Sequence, residues 1–111
     1  MKEIKRGQVF LADLNPVMGS EQGGIRPVVV LQNDVGNHYS PTIIVAAITG
    51  QLKKDMPTHV HLSARGLLKG SIALLEQIRT IDKCRLREYA GEVSKKEMNE
   101  IIEALRKSFD I

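Results

Sequence analysis

The sequence predicts a mainly β fold: five or six short strands forming a small, strongly bent sheet or barrel, followed by one terminal helix. Three observations carry this reading. Apolar, β-branched runs such as "VVVLQ" and "IIVAAIT" recur between clusters of Gly, Pro, Asn and Asp, the pattern of strands separated by turns. "THVHLS" alternates apolar and polar residues strictly, which fits a strand with one buried face. After Val93 the hydrophobic period lengthens from that of a strand to that of a helix.

Taken in order, Gln8 to Leu14 ("QVFLADL") is a first strand, stopped by Asn15 and Pro16. The polar loop "SEQGGIRP" follows. Gly23 and Gly24 let it turn sharply, and Pro27 holds the chain extended and restricts Arg26 to a β-like conformation. Pro27 to about Asn33 is a second strand, buried on both faces. "NDVGNHYSPT" reads as a long, turn-rich connection, and Ile43 to Thr49 as a third strand ended by Gly50. Beyond the charged loop "QLKKDMP", Thr58 to Ser63 directs Val60 and Leu62 to one side and His59 and His61 to the other. "SIALLEQIRTI", from Ser71, is a long or bent strand, and "YAGEV" a last one. Ser94 and Glu97 then form a capping box. Met98, Ile101, Ile102, Leu105 and Phe109 fall on one helical face, which needs either this sheet or another subunit as its partner.

The chain has 111 residues, 42% hydrophobic and 26% charged, so a single folded domain over 1–111 is expected rather than disorder. The net charge of +3 permits an anionic partner without requiring one. Cys84 is the only cysteine, which excludes an intrachain disulfide and suits a reducing cytoplasm. Lys83 and Arg85 beside it would lower its pKa, but no pattern marks it as a nucleophile. The amino terminus has no secretory pattern and no run is long enough to span a membrane; a soluble, cytoplasmic protein is expected.

Familiar catalytic constellations are missing. His59 and His61 share a strand face, but two ligands do not close a zinc site and no cysteine or carboxylate pattern supplies the others. They read as solvated side chains; His38 has no evident partner, and no metal or other cofactor is expected. The glycine pair lacks the Lys-Ser/Thr ending of a phosphate-binding Walker loop.

Arg26 and Thr49 each break the apolar pattern at a strand end. If the two strands are antiparallel neighbours, a guanidinium fork and a hydroxyl meet at one sheet edge, a pairing suited to phosphate. The alternative pairs Arg26 with Glu21 and leaves Thr49 to satisfy its strand terminus. In "LLEQIRTID", Glu76 is a general base or the partner of Arg79, and Gln77 has an amide able to read a base edge; a surface strand with an ordinary salt bridge fits equally. Lys53 and Lys54 are solvated charges or phosphate contacts.

"RGQVFLADLNPVMGSEQGGIRPVVVLQND", "SPTIIVAAIT" and "LLEQIRTIDKCRL" together closely resemble the MazF/PemK family of toxin endoribonucleases from bacterial toxin–antitoxin pairs. The resemblance runs from Lys5 to the terminal helix. It implies a small, strongly twisted antiparallel sheet, SH3-like or barrel-like, with short helices and a C-terminal helix, assembled as a homodimer. It also implies metal-independent cleavage of single-stranded RNA, in which the 2′-hydroxyl attacks its own phosphodiester to leave 2′,3′-cyclic phosphate and 5′-hydroxyl ends.

The family's catalytic arginine and threonine fall on Arg26 and Thr49. Ser20, Glu21 and Gln22 match the loop that shapes the RNA groove, and Glu76 and Gln77 match positions that hold or read bases. Asn33, Lys53, Lys54, His59 and Arg79 complete the expected RNA-binding set, and a MazE-like antitoxin is the expected inhibitor. One branch of the family pairs a carboxylate before the Gln with an arginine two residues earlier as acid and base. Glu76 fills the first place here but Leu74 the second, which shifts weight to Arg26 and Thr49. The same fold also hosts non-enzymatic poisons of DNA gyrase. A third reading, an RNA-binding barrel without chemistry, fits poorly with only four Phe and Tyr residues for stacking.

Overall fold

The β-branched runs form the centre of one six-stranded sheet. The computed structural model describes residues 3–50 and 54–111. Its elements are β1 (Gln8–Asp13), β2 (Ile25–Val30), α1 (Asp34–Tyr39), β3 (Thr42–Thr49), β4 (His59–His61), β5 (Ile72–Asp82), β6 (Leu86–Glu92) and α2 (Lys95–Phe109), with one 3-10 turn at Lys83–Arg85. The strand order is β4-β5-β3-β2-β1-β6 and every pairing is antiparallel. The sheet does not close, and β4 and β6 are its edges.

Neighbouring side chains on a strand point to opposite faces, so "VVV" supplies both cores. Val29, Ala46 and Ile48 join Val60, Leu62, Ala73 and Leu75 under α2, which contributes Ile101 and Ala104. Val28, Val30, Ile43, Val45 and Ala47 face the other way and pack with Phe10, Ala12, Ile4 and Leu14. The apolar face of α2 therefore finds its partner in this chain's own sheet, leaving Phe109 and Ile111 exposed beyond it. The capping box forms as its residue types require: Ser94 Oγ accepts the Glu97 amide at 3.1 Å, and Glu97 Oε1 accepts the Ser94 amide at 2.8 Å.

One departure from the sequence reading has a local cause, and one open choice in it is resolved by the register. "NDVGNHYSPT" is not all turn, because Asp34–Tyr39 is helical. Asn33 caps that helix by accepting the Gly36 amide at 2.8 Å, and buried Asn37 ties it to the Gln32 carbonyl at 2.9 Å. In β5, Ala46 lies opposite Ile78 but the next residue, Ala47, lies opposite Leu74. Leu75, Glu76 and Gln77 thus form a bulge against β3, and the predicted long or bent strand is both.

Candidate functional site

The β2–β3 register runs toward Arg26 on one strand and Thr49 on the other. Val30, Val29 and Val28 face Val45, Ala46 and Ala47 in turn. Continued two steps past the last pair, this register sets Arg26 opposite Thr49, on the face that carries Val28 and Ala47. Thr49 is 5% exposed and Arg26 half-buried.

Arg26 does not pair with Glu21. Its Nε donates to the Gly23 carbonyl at 2.8 Å, the only hydrogen bond of this guanidinium among the described residues. A fork held by Nε keeps its Nη groups available to an anion. Arg26 lines a cleft of about 500 Å³ whose walls include Leu11, Ile25, Pro27, Ile48 and Leu67.

The loop between β1 and β2 is built to hold that carbonyl. Gly24 has φ +76°, a left-handed conformation that other residues resist. A Cβ on Gly23 would lie 2.6 Å from Val17 Cγ2, so a larger residue there would force Val17 to move. Asn15 Oδ1 accepts the Gly24 amide at 3.0 Å. Glu21 closes the loop on itself by accepting the Met18 amide at 2.6 Å. Arg79 donates to the Leu14 carbonyl, and Arg85 to the carbonyls of Asp13 (3.1 Å) and Asn15. Arg85 was not foreseen as part of this region, because its partners lie some seventy positions earlier in the chain.

Gln77 reaches the same loop through two long hydrogen bonds, accepting from the Gln22 amide and donating to the Ser20 carbonyl, each at 3.4 Å. Ser20, Glu21, Gln22, Gln77, Arg79 and Arg26 therefore form one connected region.

Glu76 points away from it. Its Oε1 accepts from Thr58 Oγ1 at 2.8 Å, and its Oε2 meets His59 Nε2 at 3.0 Å. It is not the partner of Arg79. Partial burial acts to raise the Glu76 pKa, but hydrogen bonds from His59, its own backbone and Thr58 outweigh this and hold it below the usual range. His59 is not a solvated side chain: only 4% of it is exposed, and its Nδ1 accepts the Met56 amide at 3.0 Å. That bond leaves Nε2 as the protonated nitrogen facing Glu76. His61 does lie exposed, 3.4 Å from Asp55.

Asn33, expected among the RNA-binding residues, uses its side chain to cap α1. Lys54 is exposed, and Lys53 lies outside the described residues. His38 stacks edge-on against Tyr39 with ring centroids 4.5 Å apart. The Cys84 thiol is pushed up, first by its hydrogen bond to Asp82 and then by that carboxylate's charge, against the thiolate character its basic neighbours suggested. Among the described residues, no three His, Cys, Asp or Glu side chains are grouped to hold a metal ion. No helix among them is long and apolar enough to cross a membrane.

Comparison with known proteins follows the same outline. The family described as PemK-like, MazF-like toxin of type II toxin–antitoxin system matches residues 5–109. The chain is 59% identical over 105 residues to Endoribonuclease MazF of Staphylococcus saprophyticus, covering 92% of this chain and 88% of that one. An endoribonuclease solved in complex with its cognate antitoxin, from a mycobacterial species, superimposes with a TM-score of 0.82 at 27% identity, covering 97% of this chain and 96% of that one. MazF from Deinococcus radiodurans has a TM-score of 0.87 at 24% identity over the full length of both chains, a likeness of fold.

Proposed function

The chain belongs to the PemK/MazF family of type II toxin–antitoxin toxins, and from that premise we propose that Arg26 and Thr49 are the centre of its endoribonuclease activity. The substrate is single-stranded RNA, cut at a short sequence. The observation that supports the assignment is the β2–β3 register, whose continuation past Val28 and Ala47 aligns buried Thr49 with Arg26, the Nε of which is anchored to Gly23.

The 2′-oxygen of the cleaved nucleotide forms a new bond to its own phosphorus and the bond to the 5′-oxygen breaks. The 2′-hydroxyl gives up a proton and the leaving oxygen gains one, leaving a 2′,3′-cyclic phosphate and a 5′-hydroxyl. Because the nucleophile belongs to the substrate, no metal-bound hydroxide is needed. Arginine holds its proton too firmly to serve as an easy base. Arg26 therefore stabilises charge on the five-coordinate phosphorus and donates toward the leaving oxygen, while Thr49 positions the phosphate. The depressed pKa of Glu76 makes it a weak proton acceptor at neutral pH.

The protein works in the cytoplasm as a homodimer. Its inhibitor is a MazE-like antitoxin whose acidic, disordered segment folds over the RNA groove; the mycobacterial relative was solved with its cognate antitoxin. The test is incubation of the purified protein with a defined transcript in excess EDTA, followed by sequencing of the new 5′ ends. Cuts at one recurring short motif support the reading. A protein that arrests growth yet leaves RNA intact would overturn it in favour of a non-enzymatic toxin acting on gyrase.

A further inference from the structure

We propose that Arg85 is a positioning residue for the reaction. By gripping main-chain carbonyls at the end of β1 it fixes Asn15, and through Asn15 the loop peptide that anchors Arg26. The inference rests on the nuclease reading above and goes beyond it, because it gives a role to a side chain whose donors are used inside the protein. Two main-chain hydrogen bonds tie the β1–β2 loop to itself: the Leu14 amide donates to the Gly24 carbonyl at 3.0 Å, and the Glu21 amide to the Met18 carbonyl at 3.2 Å. A loop with so few internal bonds holds one shape through contacts from elsewhere in the chain.

Two arginines supply those contacts at the loop's first residues. Arg85 Nη1 donates to the carbonyls of Asp13, at 3.1 Å, and Asn15, while Arg79 Nη1 donates to that of Leu14, so three successive carbonyls are held by guanidinium groups. Neither arginine forms an ion pair among the described residues. The 3-10 turn that ends at Arg85 is itself held, since Asp82 Oδ1 accepts the Cys84 amide at 2.9 Å and the Pro41 carbonyl accepts the Lys83 amide at 3.0 Å. Ala12 pairs with Arg26 on one side and with Leu86 on the other, so Arg85 enters one residue away from the cross-strand row of Arg26. Asn15 links the two. Its carbonyl accepts from Arg85, and its Oδ1 accepts the Gly24 amide at 3.0 Å. That amide belongs to the same peptide unit as the Gly23 carbonyl, which accepts Arg26 Nε at 2.8 Å. The unit is planar, so fixing its N–H also fixes the direction of its carbonyl. Releasing Asn15 lets this plane turn, and the Arg26 fork turns with it.

The experiment combines steady-state kinetics with amide hydrogen exchange on the intact RNA-free protein. Arg85→Met keeps an unbranched side chain and removes its donors. It is expected to lower kcat about tenfold with KM within about twofold, the scale of losing hydrogen bonds from a charged group. Arg85→Lys can still donate to carbonyls and should bring kcat back to within about threefold of wild type. In Arg85→Met, exchange should quicken at Leu14 and Gly24 while the paired amides of β2 and β3 keep wild-type protection. Asn15→Ala removes the acceptor of the Gly24 amide, so combining it with Arg85→Met should lower kcat less than about twofold further.

Affinity for an oligoribonucleotide made uncleavable by one 2′-deoxy substitution at the cut nucleotide, measured across salt concentrations, separates positioning from direct RNA contact. Each phosphate contact on a single strand adds about 0.7 to the slope of log affinity against log salt. Arg85→Met is expected to leave that slope unchanged. A slope reduced by about 0.7, with a raised KM, would mean that Arg85 grips the RNA backbone and would overturn the proposal. Additive effects of Arg85→Met and Asn15→Ala, or unchanged exchange at Gly24, would overturn it too. So would lost protection throughout β2 and β3, which would make Arg85 a residue of general stability. Wild-type protein that cuts no RNA would instead remove the nuclease reading, while exchange at Leu14 and Gly24 tests the link from Arg85 to Asn15 separately.

Discussion

Replacing Arg26 by lysine and by alanine separates charge from geometry at the proposed reacting edge. The guanidinium is half-buried and its Nε is held 2.8 Å from the Gly23 carbonyl, so its Nη fork is presented in one orientation. Alanine removes the charge, the fork and the anchor together. Losing one preorganised transition-state contact costs about 2.7–4 kcal/mol, so Arg26→Ala is expected to slow cleavage by about a hundredfold to a thousandfold. Lysine keeps a positive charge but cannot donate to Gly23 and to two phosphate oxygens in the same geometry. A hydrogen bond involving a charged group is worth about 1.5–3 kcal/mol, which places Arg26→Lys about tenfold to a hundredfold below wild type. The assay is single-turnover cleavage of a short oligoribonucleotide at saturating protein, so that binding losses do not enter the rate. Thermal unfolding of both variants should stay within a few degrees of wild type, because Arg26 lies at the strand end and outside both apolar clusters. An Arg26→Lys protein as fast as wild type would refute the anchored fork. An Arg26→Ala protein within about threefold of wild type would refute any catalytic role for this residue.

Glu97 is 8% exposed and receives the Ser63 amide (2.8 Å), the Ser63 hydroxyl (3.1 Å) and the Ser94 amide (2.8 Å), so Glu97→Gln should cost about 1.5–3 kcal/mol and lower Tm by about 10 °C. Burial acts to raise its pKa but the bonds from Ser94 and Ser63 prevail and lower it. This stability is therefore present above the ordinary carboxylate range and lost as pH falls through the depressed folded value; the gap between wild type and Glu97→Gln should close in acid. Sedimentation at micromolar concentration is expected to give about twice the 12.3 kDa chain mass, and a monomer that still cuts RNA would contradict the dimer. A MazE-like antitoxin and an uncleavable RNA should compete for the protein; simultaneous binding with neither weakened would contradict occlusion of the groove.

The parts of the fold set by local chemistry were legible. Ser94 and Glu97 announce α2, and the apolar runs around Arg26 and Thr49 give β2 and β3, which pair antiparallel as that reading requires. Helix α1 was not legible because its six residues include Gly36 and Asn37, which read as turn formers. The Asn33 cap and the burial of Asn37 override that preference. His59 was misread for a different reason. Strand alternation correctly turned it away from Val60 and Leu62, but nothing in the local pattern shows that a bulge in β5 lays Glu76 against that face. The partners of Arg79 and Arg85 are main-chain carbonyls of a distant loop, and carbonyls carry no signature in a sequence.

The most direct test of the central claim is cleavage of an oligoribonucleotide carrying one 2′-deoxy substitution at the cleaved nucleotide, measured in excess EDTA beside the all-ribose strand. If the 2′-hydroxyl is the nucleophile, the all-ribose strand is cut to 2′,3′-cyclic phosphate and 5′-hydroxyl ends, whereas the substituted strand binds with similar affinity and stays intact. Cutting at the 2′-deoxy position, or cutting of the all-ribose strand only after magnesium is restored, would contradict the account.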